Sequence, residues 1–162
     1  MTIPFNHQTF QQVMKPMVSM AHLSLEYENI ESSIVKVCAE LSDKLSDAAY
    51  EQIVEAINIE SGELSDTDRT QLSALDYLQR AILHFALYHH VIYTIANITN
   101  DGITVTKSDD KTTIYKYQQD QLEEQLLADA WFWLNRLIRL LNTNPDIFTA
   151  WAESDEIGRA HV

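Results

Sequence analysis

The chain is poor in the residues that break or staple a fold. Its 162 residues include one cysteine, three glycines and three prolines. A lone cysteine, Cys38, excludes an intrachain disulfide, so nothing in the sequence depends on an oxidising compartment. Scarce Gly and Pro argue against a many-turned β fold and for long helices. Cations are also few: 11 Lys and Arg stand against 24 Asp and Glu, a formal net charge of −13. A surface so negative repels phosphate backbones and anionic membranes, which argues against direct nucleic-acid binding and against a membrane partner. No basic start followed by an apolar run opens the chain, and no apolar run is long enough to span a bilayer. Together these features predict an intracellular domain.

What is present is helical periodicity. Ile30, Ile34, Val37, Cys38, Leu41 and Leu45 recur at spacings of three and four, with Glu31, Lys36, Glu40, Asp43 and Lys44 on the other face. Ser46-Asp47 caps a shorter helix with Ala49, Ile53, Val54 and Ile57 inward. Ser65 and Asp68 form a capping-box pattern that opens a long helix, residues 66–97. From residue 81 that helix is apolar nearly all round, which marks a central element. A second long helix is predicted over 119–142. It carries one stripe through Leu126, Trp133 and Leu137 and another through Trp131 and Leu134. Ile82, Phe85, Ile92, Leu126, Trp133 and Leu137 are expected in the core. Residues 1–25 show no clean period, and Ile147, Phe148 and Trp151 form a short apolar tail expected to fold back.

Between the long helices, Asn100-Asp101-Gly102 reads as a turn. The β-branched run Ile103-Thr104-Val105-Thr106 and the segment 112–117 then read as two strands. The expected fold is therefore mainly α, an irregular bundle whose two long helices are joined by one β-hairpin at 102–117. An isolated hairpin needs cover. Ile103, Val105, Ile114, Tyr115 and Tyr117 are the candidate subunit interface, closing a head-to-tail ring of identical subunits.

Chemistry-bearing patterns are missing. His84, His89 and His90 share a helix at spacings of five and one, whereas paired metal ligands on a helix need four. Their expected role is hydrogen bonding in or beside the core. The glycines stand apart, so no phosphate loop forms, and no Gly-x-Ser-x-Gly elbow occurs. No catalytic residue, metal ligand or cofactor is assigned. The aromatic triplet Trp131-Phe132-Trp133 reads as core or protein interface rather than a ligand stack.

Three stretches carry a resemblance: Asp76-Tyr77-Leu78-Gln79-Arg80-Ala81-Ile82; Asp101-Gly102-Ile103-Thr104-Val105 with Lys116-Tyr117-Gln118; and Phe148-Thr149-Ala150-Trp151-Ala152-Glu153-Ser154. Over residues 70–155 the chain resembles a domain family encoded by phages and prophages of gut bacteria. In that family a long helix leads into a Gly-x-x-Val hairpin, a Lys-aromatic-Gln motif, a helix and an aromatic-x-x-Trp-x-x-Ser tail. The arrangement is also similar to helical head–tail connector proteins of tailed phages. The resemblance implies a non-enzymatic virion structural or assembly protein, in the virion or the host cytoplasm, whose partners are other virion proteins or copies of itself. The alternative is an acidic helical module that binds a host or phage protein. Residues 157–162 do not read like the rest. Ile157-Gly158-Arg159-Ala160-His161-Val162 is what ATC GGA AGA GCA CAC GTC encodes, a common sequencing-library adapter. The expected organisation is one helical domain over 1–156, cut short at its C-terminus, followed by a non-native read-through tail.

Overall fold

A computed structural model describes residues 1–6, 9, 10, 12, 27–100 and 109–154. Helix α1 spans Tyr27–Leu45 and α2 spans Asp47–Val54, continued by a single 3-10 turn at Glu55–Asn58. Two 35-residue helices follow, α3 at Asp66–Asn100 and α4 at Asp109–Thr143, and a short α5 at Thr149–Ala152 closes the described chain. Each long helix extends about 50 Å.

The periodic stripes fold as read. Ile30, Ile34, Val37, Cys38, Leu41 and Leu45 are all buried, as are Ala49, Tyr50, Ile53 and Val54 of α2. Ile57, expected inward, is exposed because the tighter 3-10 turn shifts its direction and brings Ala56 into the core instead. Ser46 makes the break between α1 and α2 with φ 71°, and its hydroxyl accepts from the Ala49 N–H at 3.3 Å. The capping box at the start of α3 forms in both directions: Asp68 N–H donates to Ser65 Oγ at 3.1 Å, and Ser65 N–H donates to Asp68 Oδ2 at 3.2 Å.

Helices α3 and α4 form the main pair, and α1 packs on α3. They run antiparallel: Tyr77 meets Trp133, His84 meets Asp129, and Tyr88 lies across from Glu123. Ala74, Leu78, Ala81, Ile82 and Leu83 of α3 share one buried core with Leu126, Leu134, Leu137 and Leu141 of α4. The segment over 112–117 is not a strand. It lies inside α4, and no strand occurs among the described residues. The expected β-hairpin is thus overturned. Ser108-Asp109-Asp110, read as a hairpin turn, is in sequence equally a cap followed by acids suited to a helix N-terminus. The β-branched residues after it lower helix propensity by only about 0.5 kcal/mol each, which continuation of a long packed helix outweighs. The first predicted strand, 103–106, lies outside the described residues.

Both ends of the described chain land on α2. Near the N-terminus, Thr2 N–H donates to Glu51 Oε1 at 2.7 Å and the Tyr50 hydroxyl donates to the Thr2 carbonyl at 2.8 Å. Gln79 Nε2 reaches the Pro4 carbonyl from α3 at 2.9 Å, and Phe5 and Phe10 are buried. At the other end, Phe148 and Trp151 fold back into the core as expected. The Gln52 amide clamps the entry to α5: its Nε2 donates to the Ile147 carbonyl and to Thr149 Oγ1, each at 3.3 Å, and its Oε1 accepts from Ala150 N–H at 3.0 Å. Trp151 Nε1 donates to Asn142 Oδ1 at 2.8 Å, and the Ser154 hydroxyl donates to the Trp151 carbonyl at 2.8 Å. Those bonds give the Phe-x-x-Trp-x-x-Ser spacing its physical meaning as a folded-back hook.

Candidate interaction surface

The side of α4 turned away from the core is where the surface is unusual. Trp131 is 42% exposed and Phe132 51% exposed, both in the middle of an ordered helix. Around them the few cations of this acidic chain are layered with rings. Arg80 stacks over Trp133 at 4.9 Å and pairs through Nε with Asp76 Oδ2 at 3.0 Å. Arg136 lies 5.3 Å from the Tyr77 ring and 5.6 Å from the Phe132 ring, and its Nη2 donates to the Tyr77 hydroxyl at 3.4 Å. Lys44, from the last turn of α1, sits 4.9 Å over Trp131. Tyr77 packs on Trp133 at 5.7 Å, and Phe85 meets Trp131 edge-to-face at 5.4 Å. These contacts hold the large rings in place at the surface without covering them, since a cation on one ring face leaves the other face open.

Phe85 and Trp133, expected to be well buried, are half-buried for this reason: they form the rim of the α3–α4 seam, while Ile82, Leu126 and Leu137 fill its floor. Ile92 belongs to the part of α3 whose side chains are outside the described set. The second predicted stripe of α4 is only partly used. Leu134 and Leu141 are buried, but Trp131 is not: among the described residues Lys44 and Phe85 lie against its ring and leave it 42% exposed.

Two open depressions lie along α4. One is lined by Gln121, Leu122, Glu124, Gln125 and Ala128, the other by Tyr88, Asp120, Glu123, Glu124 and Leu127. Both are shallow surface features rather than enclosed sites. Among the described residues no group of three His, Cys, Asp or Glu side chains is assembled as a metal site, and no helix is long and apolar enough to cross a membrane.

His84 is buried beneath the aromatic rim. Its Nδ1 lies 2.7 Å from the Arg80 carbonyl, which can only accept, so Nδ1 carries the hydrogen. Nε2 faces Asp129 Oδ2 at 4.0 Å. Burial pushes the His84 pKa below the usual histidine value and the nearby Arg80 charge adds to this, against the Arg80 carbonyl and Asp129, which work the other way. That agrees with a histidine hydrogen-bonded beside the core. Cys38 is buried and its thiol is pushed up by burial, so it is an unreactive core residue.

Of the five predicted interface residues, Ile103 and Val105 lie outside the described residues. Ile114, Tyr115 and Tyr117 belong to the N-terminal part of α4, so the alternation that grouped them has no ribbon to act on. The aromatic triplet at 131–133 is the feature the structure does single out. The signal that separates its members is helical register: Phe132 falls in a row with Asp120, Glu124, Ala128 and Arg136, whereas Trp133 falls toward α3.

Residues 32–160 match the family of unknown function DUF6712, and the chain belongs to that family. No curated protein and no solved structure matches it.

Proposed function

We propose that this member of DUF6712 works through protein–protein contact, as a structural or assembly component, and that the outer face of α4 is the contact surface. One observation carries the reading: Trp131 and Phe132 stand exposed side by side on α4, with Lys44 over the first ring and Arg136 beside the second. Aromatic residues and Arg are the types that dominate binding energy at protein interfaces. Exposed apolar clusters on folded domains mark contact sites more often than accidents. The phage resemblance extends the proposal to a component of the neck of a tailed phage, at or near the head–tail connector. The charge of −13 supports that extension, because a channel through which DNA passes benefits from walls that DNA does not adhere to.

Mass spectrometry of purified virions tests the finer reading. A phage that encodes this chain should carry it at a fixed ratio to the portal protein. Its absence from intact virions would refute the neck assignment, and recovery with a host protein instead would favour the acidic-module alternative.

A further inference from the structure

We propose that the outer face of α4 pairs with the same face of a second copy of this chain, antiparallel, in a two-fold dimer. The argument starts from one row at four-residue spacing: Asp120, Glu124, Ala128, Phe132 and Arg136, every member exposed. Such a row is a ridge on the helix surface, the unit that interdigitates when helices cross at about −50°. Its chemistry is graded. Two acids stand at one end, a small and a large side chain in the middle, and a base at the other.

Reversing the helix about residue 130 superposes this pattern on its own complement. Ala130 is fully buried and points the opposite way, so the helix face midway between Glu124 and Arg136 is turned outward. In the reversed pair Glu124 meets Arg136 of the second copy, and Arg136 meets its Glu124. Phe132 meets Ala128, and the two-fold axis makes each contact twice. The depression lined by Gln121, Leu122, Glu124, Gln125 and Ala128 is where the opposite phenyl ring lands. On the flank, Asn135 comes opposite Gln125. A parallel pairing sets Arg136 on Arg136 and Glu124 on Glu124, and an unrelated acidic partner is repelled by the Asp120–Glu124 end. Only a surface graded in the reverse sense fits between Glu124 and Arg136, and the chain itself supplies one; Asp120 falls opposite Leu140, beyond that pairing. Among the described residues neither Glu124, Arg136 nor Arg139 is in an ion pair. No intrachain carboxylate therefore competes for Arg136, whose contacts are with the Tyr77 and Phe132 rings and the Tyr77 hydroxyl.

The face offers about ten residues, fewer than the roughly 20–30 a side of a standard interface, so the dimer is expected to be weak, on the order of micromolar. The proposal rests on the reading that the α4 face is a contact surface.

Sedimentation velocity on the purified chain, up to about 200 µM, tests it. A concentration-dependent monomer–dimer equilibrium is expected. Glu124→Arg and Arg136→Glu, each reversing a charge in two symmetry-related pairs, should weaken it by about tenfold or more. The double variant, which exchanges the two charges, should return the affinity to within about threefold of the original, and that recovery separates a crossing pair from general damage to the surface. A chain that stays monomeric throughout, or a double variant as weak as either single one, overturns the proposal. The two readings fail separately. A monomeric chain found at fixed ratio in virions sinks the dimer and leaves the assembly role. A rescued dimer of a chain missing from virions does the reverse.

Discussion

Removing Trp151 should unfasten the C-terminal hook and lower stability by about 3–5 kcal/mol. The side chain is 1% exposed. A buried indole takes roughly 200 Å² out of water, and at about 25 cal/mol per Å² that is an upper value near 5 kcal/mol. Trp151→Ala forfeits most of it and leaves a cavity between α2 and α4 that the short α5 is too constrained to fill. It also removes the donor that Nε1 supplies to Asn142. Trp151→Phe separates these parts: most of the apolar area stays, the hydrogen bond goes, and the loss should be about 1–2 kcal/mol. Urea unfolding followed by circular dichroism measures both. With a slope near 2 kcal/mol per M, the Ala variant should move the midpoint down by roughly 1.5–2.5 M. Fluorescence gives an independent check, because Trp131 is exposed and Trp133 half-buried. Trp151 therefore supplies the blue edge of the emission, and Trp151→Phe should shift the folded spectrum to the red. A midpoint shift below about 0.5 M for the Ala variant would mean that the hook is not docked and that the reasoning from burial is wrong.

Three further outcomes are expected. Ser46 combines a left-handed φ with a capping hydroxyl, so Ser46→Ala should lose about 1 kcal/mol, whereas Ser46→Gly, relieved of the strain, should stay within about 0.5 kcal/mol of the parent; equal losses in thermal melts would contradict this. Burial lowers the His84 pKa, so above the ordinary histidine value near 6.5 the group is neutral in both states and has no effect. As pH falls below that value the unfolded chain takes up the proton first and stability drops, until the folded value is reached. His84→Gln should flatten that part of the stability profile below about pH 6.5, leaving the portion due to His90, whose pKa burial also lowers. Trp133→Ala, at the rim rather than in the core, should cost about 1–2 kcal/mol, less than Trp151→Ala; a larger loss would place it deeper than its exposure indicates.

Much of the fold was legible because its signals are local. The three-and-four spacing of α1 and the Ser65–Asp68 box each depend on a few neighbouring residues, and both stand in the structure. The hairpin was misread because strand propensity at 112–117 is also local but weak, and a 35-residue helix overrides it cooperatively. Phe85 and Trp133 were placed too deep because periodicity gives direction and not depth. Both make ring contacts across the α3–α4 seam, at its edge rather than its floor. The Trp131–Phe132 face was visible only as a choice between core and interface. What the spacing does not encode is exposure: among the described residues both rings stay open to solvent, a tertiary fact outside α4's own sequence.

The way both ends of the described chain meet on α2 bears on how the molecule is made. Tyr50 and Gln52 are two residues apart, yet their partners at Thr2 and at Ile147, Thr149 and Ala150 are about as far apart in sequence as the chain allows. During translation α2 leaves the ribosome with its first cover already available and its second still to be synthesised. At roughly 5–20 residues per second, the Gln52 amide waits about 5–20 seconds for the segment it will hold. Closing so long a loop is entropically late in any folding order. Until that segment arrives, the side of α2 that receives α5 stays uncovered, however much of the rest has already been synthesised.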